Sequence, residues 1–240
     1  MGRTIAIGDI HGDLAALERL LARLPALTAD DTVVFLGDYV DRGPHSKEVV
    51  ARVRAFPAET AAKVVTLRGN HEDGWLRVID DGWVEFAFPP GNGCRPCLAS
   101  FRPDLVDDVD ALFSGSFLPA DVVAWMRTLP FWYEDDNAIF VHAGLPQVDG
   151  RWCHPSEVAD PRVLIWQRAR AFYLAYKGKP VVCGHTRASS MPPGMSQYTP
   201  DDPEDLFWAG GGVYLIDTGA GKGGFLTALE LPSGQVYESR

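Results

Sequence analysis

Five times along this chain a short β-branched or aliphatic run stops at a polar cluster: TIAI before GDIHGD, TVVFL before GDYVDR, KVVTL before RGNHE, AIFV before HAG, and PVVC before GHT. Runs of this length bounded by glycine have the pattern of strands buried on both faces. Each polar cluster would then sit at the carboxyl end of its strand. Between the first clusters lie helix-like segments. Asp13 can N-cap DLAALERLLARL, in which Leu14, Leu17, Leu20, Leu21 and Leu24 share a face, and Ser46 can cap SKEVVARVRAF with Val49, Val50 and Val53 inward. The order is β-α-β-α-β with cluster-to-cluster steps of about 30 residues, the length of βαβ units. Ligands of open α/β sheets bind beyond the carboxyl ends of the strands, so these loops are expected to converge on one edge.

The remainder is less periodic. Residues 73 to 120, rich in Gly, Pro and aromatics, read as an irregular insertion with short helices that could wall the site, up to a helical DVVAWMRTL. SEVADPRVLIWQRARAFYLAY looks helical in its second half, and GVYLIDTGA with GFLTALEL reads as a closing β-hairpin. No linker or repeat divides the 240 residues, so one domain spanning 1–240 is expected.

Composition narrows the partners. A net charge of −10 disfavours a surface that neutralises nucleic-acid phosphates or anionic lipid. No apolar stretch approaches the roughly 20 residues of a membrane span, and MGRTIAIGD has neither a signal-peptide pattern nor, with Ala6, the Ser or Thr of a myristoylation site. A soluble, cytoplasmic protein is expected, with no nucleic-acid or membrane partner. Four cysteines are too few for a disulfide scaffold. The Cys94/Cys97 CRPC pair has no second CxxC to complete a zinc site and reads as a loop with two reduced thiols, while Cys183 inside PVVC reads as core.

The clusters supply Asp9, His11, Asp38, Asn70, His142 and His185 as candidate metal ligands. Singly, each has a plain explanation, since Asp and Asn cap helices and a lone His is commonly a hydrogen-bonded structural residue. Together they are harder to explain that way: four of the six histidines, His11, His71, His142 and His185, follow apolar runs or their glycine turns. Mixed carboxylate, imidazole and amide ligands suit Mn, Fe or Zn. So many donors exceed one tetrahedral ion, which implies two ions ~3.5–4 Å apart with Asp38 as the bridging carboxylate. Arg42 and Arg68 stand beside these ligands with forks that match phosphate oxygens, although each could instead pair with a nearby carboxylate. Such a centre points to phosphoester hydrolysis: the ions acidify a bridging water, hydroxide attacks phosphorus in line, and the guanidiniums hold the charge that develops.

GDIHG, GDYVDRG and GNHE, followed by VHAG and GHT, resemble the signature of the PPP-type calcineurin-like metallophosphoesterases. LIWQRAR and YLIDTGAGKGGFLTALEL look like segments of compact phage and bacterial serine/threonine protein phosphatases, so the likeness covers most of the chain. The resemblance implies an α/β fold, a β-sandwich flanked by helices, with the site at the C-terminal ends of the central strands. It implies Asp9, His11 and Asp38 on one ion, and Asp38, Asn70, His142 and His185 on the other. It makes His71 the general acid, oriented by Asp41, with Arg42, Arg68 and Arg168 binding the phosphoryl group. Manganese is the expected metal, with iron or zinc as alternatives. The longer C-terminal region and SAPNYC-type loop of eukaryotic members are absent, so no regulatory subunit is inferred. The expected substrate is a phosphoserine or phosphothreonine protein or peptide. Symmetrical dinucleoside tetraphosphate hydrolases are the rival, resembling this chain but tending to carry GDLVARG and GNHD where it has GDYVDRG and GNHE. A metal-binding module that has lost its chemistry is disfavoured because every ligand and the acid are present.

Overall fold

The computed structural model describes residues 2–192 and 208–240. Its first half alternates as the sequence pattern requires: β1 (Thr4–Ile7), α1 (Leu14–Leu21), β2 (Thr32–Phe35), α2 (Ser46–Ala55) and β3 (Lys63–Thr66). There follow α3 (Asn70–Asp81), α4 (Cys94–Phe101), α5 (Val109–Ser114) and α6 (Ala120–Thr128). The second half holds β4 (Trp132–Glu134), β5 (Ile139–Val141), the short hairpin β6 (Gln147–Val148) and β7 (Arg151–Trp152), α7 (Val163–Trp166), α8 (Arg170–Ala175) and β8 (Val181–Cys183). It closes with β9 (Trp208–Gly210), β10 (Val213–Leu215), β11 (Thr227–Leu231) and β12 (Val236–Glu238).

Two five-stranded sheets result, in the orders β12-β11-β1-β2-β3 and β4-β5-β8-β10-β9. β1, β2 and β3 run parallel, as do β5, β8 and β10, so the carboxyl ends within each set share an edge. Successive strand side chains point to opposite faces, and here both faces are covered. Ile5, Ile7, Val33 and Phe35 pack on the helices of the first half, whereas Ala6 and Val34 join Phe140 and Val182 between the sheets. Val141, Val181 and Cys183 pack on the far side against Leu164 and Phe172. This layering of helices, sheet, sheet and helices is why the strand runs are apolar without alternation.

The helix signals hold in part. Asp13 caps α1 by accepting from the Ala16 N–H at 3.0 Å, and Leu17 and Leu20 are buried. Ser46 does not cap α2; it is the first helical residue, and its hydroxyl accepts from the Asp41 N–H at 3.0 Å. β3 is an edge strand with Lys63 exposed and the rest half-buried, not one covered on both faces.

Two larger expectations are corrected. The stretch from 73 is not irregular at its start, because α3 continues from Asn70 to Asp81 with Trp75, Leu76 and Val78 inward, the pattern obscured by buried polar residues at its amino end. The C-terminal runs do not form a hairpin with each other. β10 pairs with β8 and β9 in one sheet, and β11 pairs with β1 and β12 in the other, so the glycine-rich segment between them crosses the sandwich. Cys94 and Cys97 lie buried on α4 rather than in a loop, and Cys183 is core.

Candidate metal centre

Each cluster begins one or two residues beyond a strand end, and turning the backbone there requires unusual torsions. Among the described residues, six non-glycine residues have positive φ, and five of them are His11, Asp38, Asp41, Arg42 and His185. Such conformations cost about 1–3 kcal/mol each and persist where the surroundings over-determine them, which marks functional loops.

Glu72 supplies much of that determination. Its Oε2 accepts from the N–H groups of Asp38 and Gly69, each at 2.9 Å, and its Oε1 from Tyr39 at 2.8 Å. One buried carboxylate therefore ties the turn after β2 to the start of α3. Asp38 is brought to the middle: Oδ2 lies 3.3 Å from Nε2 of His11 and Oδ1 3.4 Å from Nε2 of His142. The Asn70 amide oxygen lies 3.0 Å from Nε2 of His142 and 2.7 Å from Nδ1 of His185. Asp9 accepts from the His185 N–H at 3.0 and 3.2 Å, and its Oδ2 is 3.8 Å from Nε2 of His11. The six candidate ligands thus lie in one buried cluster.

The tautomers test whether this cluster fits metal. Nδ1 of His11 faces the Val40 carbonyl at 3.1 Å, and Nδ1 of His142 faces the Leu36 carbonyl at 3.0 Å. A carbonyl can only accept, so each Nδ1 donates and each neutral ring turns a lone pair toward the oxygens of Asp38. Acceptor faces acceptor, which is unfavourable unless a cation lies between. Burial pushes the pKa values of His11, His142 and His185 down, so these rings are not themselves that cation. Burial, with Asp217 and Asp38 close by, pushes Asp9 well up. The donor set fits divalent cations. Asp38, with one oxygen toward each locked imidazole, belongs to both groups of metal-competent side chains, His11–Asp38–His71 and Asp9–Asp38–His142.

His71 stands at the rim of this cluster. Nδ1 lies 2.6 Å from Oδ2 of Asp41, whose carboxylate also accepts from the Trp75 indole at 2.9 Å, leaving Nε2 to face the centre 3.9 Å from Asp38. The arginines divide. Arg42 reaches Nε2 of His11, and its buried Nε has no partner. Arg168 donates to the His185 carbonyl at 3.4 Å. Arg68 is directed elsewhere, donating to the Arg127 carbonyl at 2.8 Å over the Phe131 ring, with Asp73 4.0 Å away.

Sequence reasoning missed Glu72, Trp75 and Asp217. Asp217 carried a readable signal, since VYLI running into Asp is a sixth apolar run that stops at a polar residue. Glu72 and Trp75 had none, because the partners that give them their role, Asp38 and Tyr39 for Glu72 and Asp41 for Trp75, lie more than 30 positions away.

Residues 2–206 match the sequence model of the calcineurin-like phosphoesterases. The chain belongs to that family. Among its relatives is the symmetrical bis(5'-nucleosyl)-tetraphosphatase of Chromohalobacter salexigens, 28% identical across 98% of this chain and 96% of that one. The enzyme of the same name from a Janthinobacterium strain is 34% identical over 60% of this chain and 44% of its own. A Caenorhabditis elegans chain bearing a serine/threonine-protein phosphatase name is 37% identical, over 36% of this chain and 24% of its own. In structure, a metallophosphoesterase from Sphaerobacter thermophilus superposes with a TM-score of 0.55 at 21% identity, covering 98% of this chain and 87% of that one. This calcineurin-like phosphoesterase therefore shares its fold with another metallophosphoesterase, and its sequence relatives bear the names of more than one kind of phosphoesterase.

Proposed function

We propose that this chain is a metal-dependent phosphoester hydrolase whose centre is held by Asp9, His11, Asp38, Asn70, His142 and His185. The observation that carries the reading is Asp38, with each carboxylate oxygen turned toward a different imidazole whose tautomer is locked by a carbonyl. Divalent cations bound there supply Lewis acidity and a water acidic enough to serve as nucleophile at neutral pH. Manganese leads, and iron and zinc suit the same donors. The protein's own part is to hold the substrate phosphate with Arg42 and Arg168, to bring Arg68 in from its place at the Arg127 carbonyl, and to protonate the departing oxygen from Nε2 of His71.

For substrate, the relatives favour a symmetrical dinucleoside tetraphosphate over the phosphoprotein expected from sequence, because the relative matched along nearly its whole length bears that name. A second reading rests on the Asp41–His71 pair. A nucleoside diphosphate leaves as an anion already stable near neutrality, since its phosphate has a pKa of about 6, whereas a seryl or threonyl alkoxide must be protonated as it departs. A buried acid fixed at 2.6 Å by its own carboxylate is therefore matched to phosphoserine and phosphothreonine. Turnover on diadenosine tetraphosphate and on a phosphoserine peptide, measured at one metal concentration, separates the two. Release of two ADP per diadenosine tetraphosphate at much the higher kcat/KM supports the first, and preference for the peptide supports the second. Activity on neither, with metal bound, overturns both.

A further inference from the structure

Because β10 and β11 lie in opposite sheets, the segment between them has to cross the sandwich, and it does so directly over His11. Gly219, Gly221 and Gly223 take φ of +84°, +70° and +78°, and a side chain on Gly221 would collide with the His11 carbonyl. The loop is pinned in place. Gly219 N–H donates to Asp217 at 2.9 Å, Gly221 N–H to Asp13 at 3.3 Å, and the N–H groups of Lys222 and Gly224 to the Gly219 carbonyl at 3.0 Å. Lys222 is thereby presented at the rim of the metal centre, within electrostatic reach of Arg42 and Arg187.

Arg187, two residues past His185, lies across the same loop, its guanidinium donating to the Gly219 and Lys222 carbonyls at 3.4 and 3.3 Å. Among the described residues neither Arg187 nor Lys222 forms an ion pair. The carboxylates near Lys222 are Asp217, engaged with the Gly219 N–H, and Asp9, a candidate metal ligand. Burial and the charge of Arg42 lower the Lys222 pKa to about 8, an electrostatic cost that a bound anion would relieve. One tetrahedral phosphate over the metals is already provided with Arg42 and Arg168. Among the described residues Lys222 and Arg187 have no ion pair of their own, and negative charge continuing beyond that phosphate would supply one.

We propose that Arg187 and Lys222, continuing outward from Arg42, form a second anion subsite that takes the phosphate next to the one being cleaved, so that the chain accepts diphosphate and polyphosphate chains. The proposal rests on the phosphoester-hydrolase reading and deepens it by naming what the site holds beside the reacting phosphorus.

The test uses inorganic tripolyphosphate and inorganic phosphate as competing inhibitors of p-nitrophenyl phosphate hydrolysis, with free metal held constant by a buffer. In Arg187→Ala/Lys222→Ala, inhibition by tripolyphosphate should weaken by about 10- to 100-fold, the loss of one or two charged hydrogen bonds, and inhibition by phosphate by much less. Lys222→Arg should retain most of the discrimination. Lys222→Gln, on a surface loop and altering one side chain only, provides the same reading if the double variant does not fold. Equal weakening toward both anions, or none toward tripolyphosphate, overturns the subsite. If the wild-type protein hydrolyses no phosphoester, the proposed function fails on its own, and calorimetric titration of tripolyphosphate into wild type and variants still reads the subsite.

Discussion

His71 owes its role to Asp41. Alone, a buried imidazole could face either way, but the carboxylate 2.6 Å from Nδ1, itself held by the Trp75 indole, fixes the ring so that Nε2 meets the centre. Replacing the ring while keeping a polar group isolates that role. His71→Asn should retain metal by elemental analysis and lose about 10²–10⁴ in kcat on esters with alkoxide leaving groups, with a smaller loss on p-nitrophenyl phosphate, whose leaving group needs no proton. An equal loss on both substrates would remove His71 from acid catalysis. The ligand positions were legible because they cluster just past apolar runs, whereas the dyad was legible only through the family resemblance. The clamp made by Glu72 was not, since nothing in GNHE says that the fourth residue will reach back to the N–H groups of Asp38 and Tyr39.

Helix α3 carries His71, the proposed acid, and also shows how an element can defy its propensities. Gly74 sits inside it, where alanine would ordinarily stabilise by about 1 kcal/mol. Here a Cβ would stand 2.5–2.6 Å from Cζ and Cδ2 of Phe86, a buried ring that also packs edge-on to His71 and Trp75. Gly74→Ala should therefore destabilise by about 1–3 kcal/mol, the cost of overpacking; a thermal midpoint raised by the substitution would contradict this. Helix α4 shows the same dependence on neighbours. A CRPC run without further ligands says little, yet its amino end abuts the Arg42 turn, where the Arg42 N–H donates to the Gly93 carbonyl at 3.0 Å. Burial, with Asp41 nearby, pushes both thiols up, so the pair is packing for the loop that carries Arg42 rather than a reactive couple.

At the scale of the whole molecule, the amino end of β1 is tied to the turn before β2, its neighbour in the same sheet. Opposite the metal centre, Asp31 accepts from the Arg3 N–H and Nε at 3.1 Å, from Nη2 at 2.7 Å, and from the Thr28 N–H at 2.9 Å. Arg3 thus holds the Asp31 carboxyl well below its usual range. A folded pKa below the unfolded value of about 3.9 means that the contribution is complete above about pH 4 and is lost as pH falls further. Asp31→Asn should cost about 1–3 kcal/mol at pH 7 and progressively less below pH 4; an equal cost at both, by denaturant titration, would refute the linkage. The sequence by itself determined the parallel βαβαβ half, the edge at which ligands gather and the six candidate ligands, because apolar periodicity and glycine punctuation act over a few residues. The rest depended on tertiary contacts: that β10 and β11 join different sheets, that the loop between them lays Lys222 beside Arg42, and that Arg68 rests at the Arg127 carbonyl. The partners in those contacts lie tens to hundreds of positions apart, so only packing of the two sheets could bring them together.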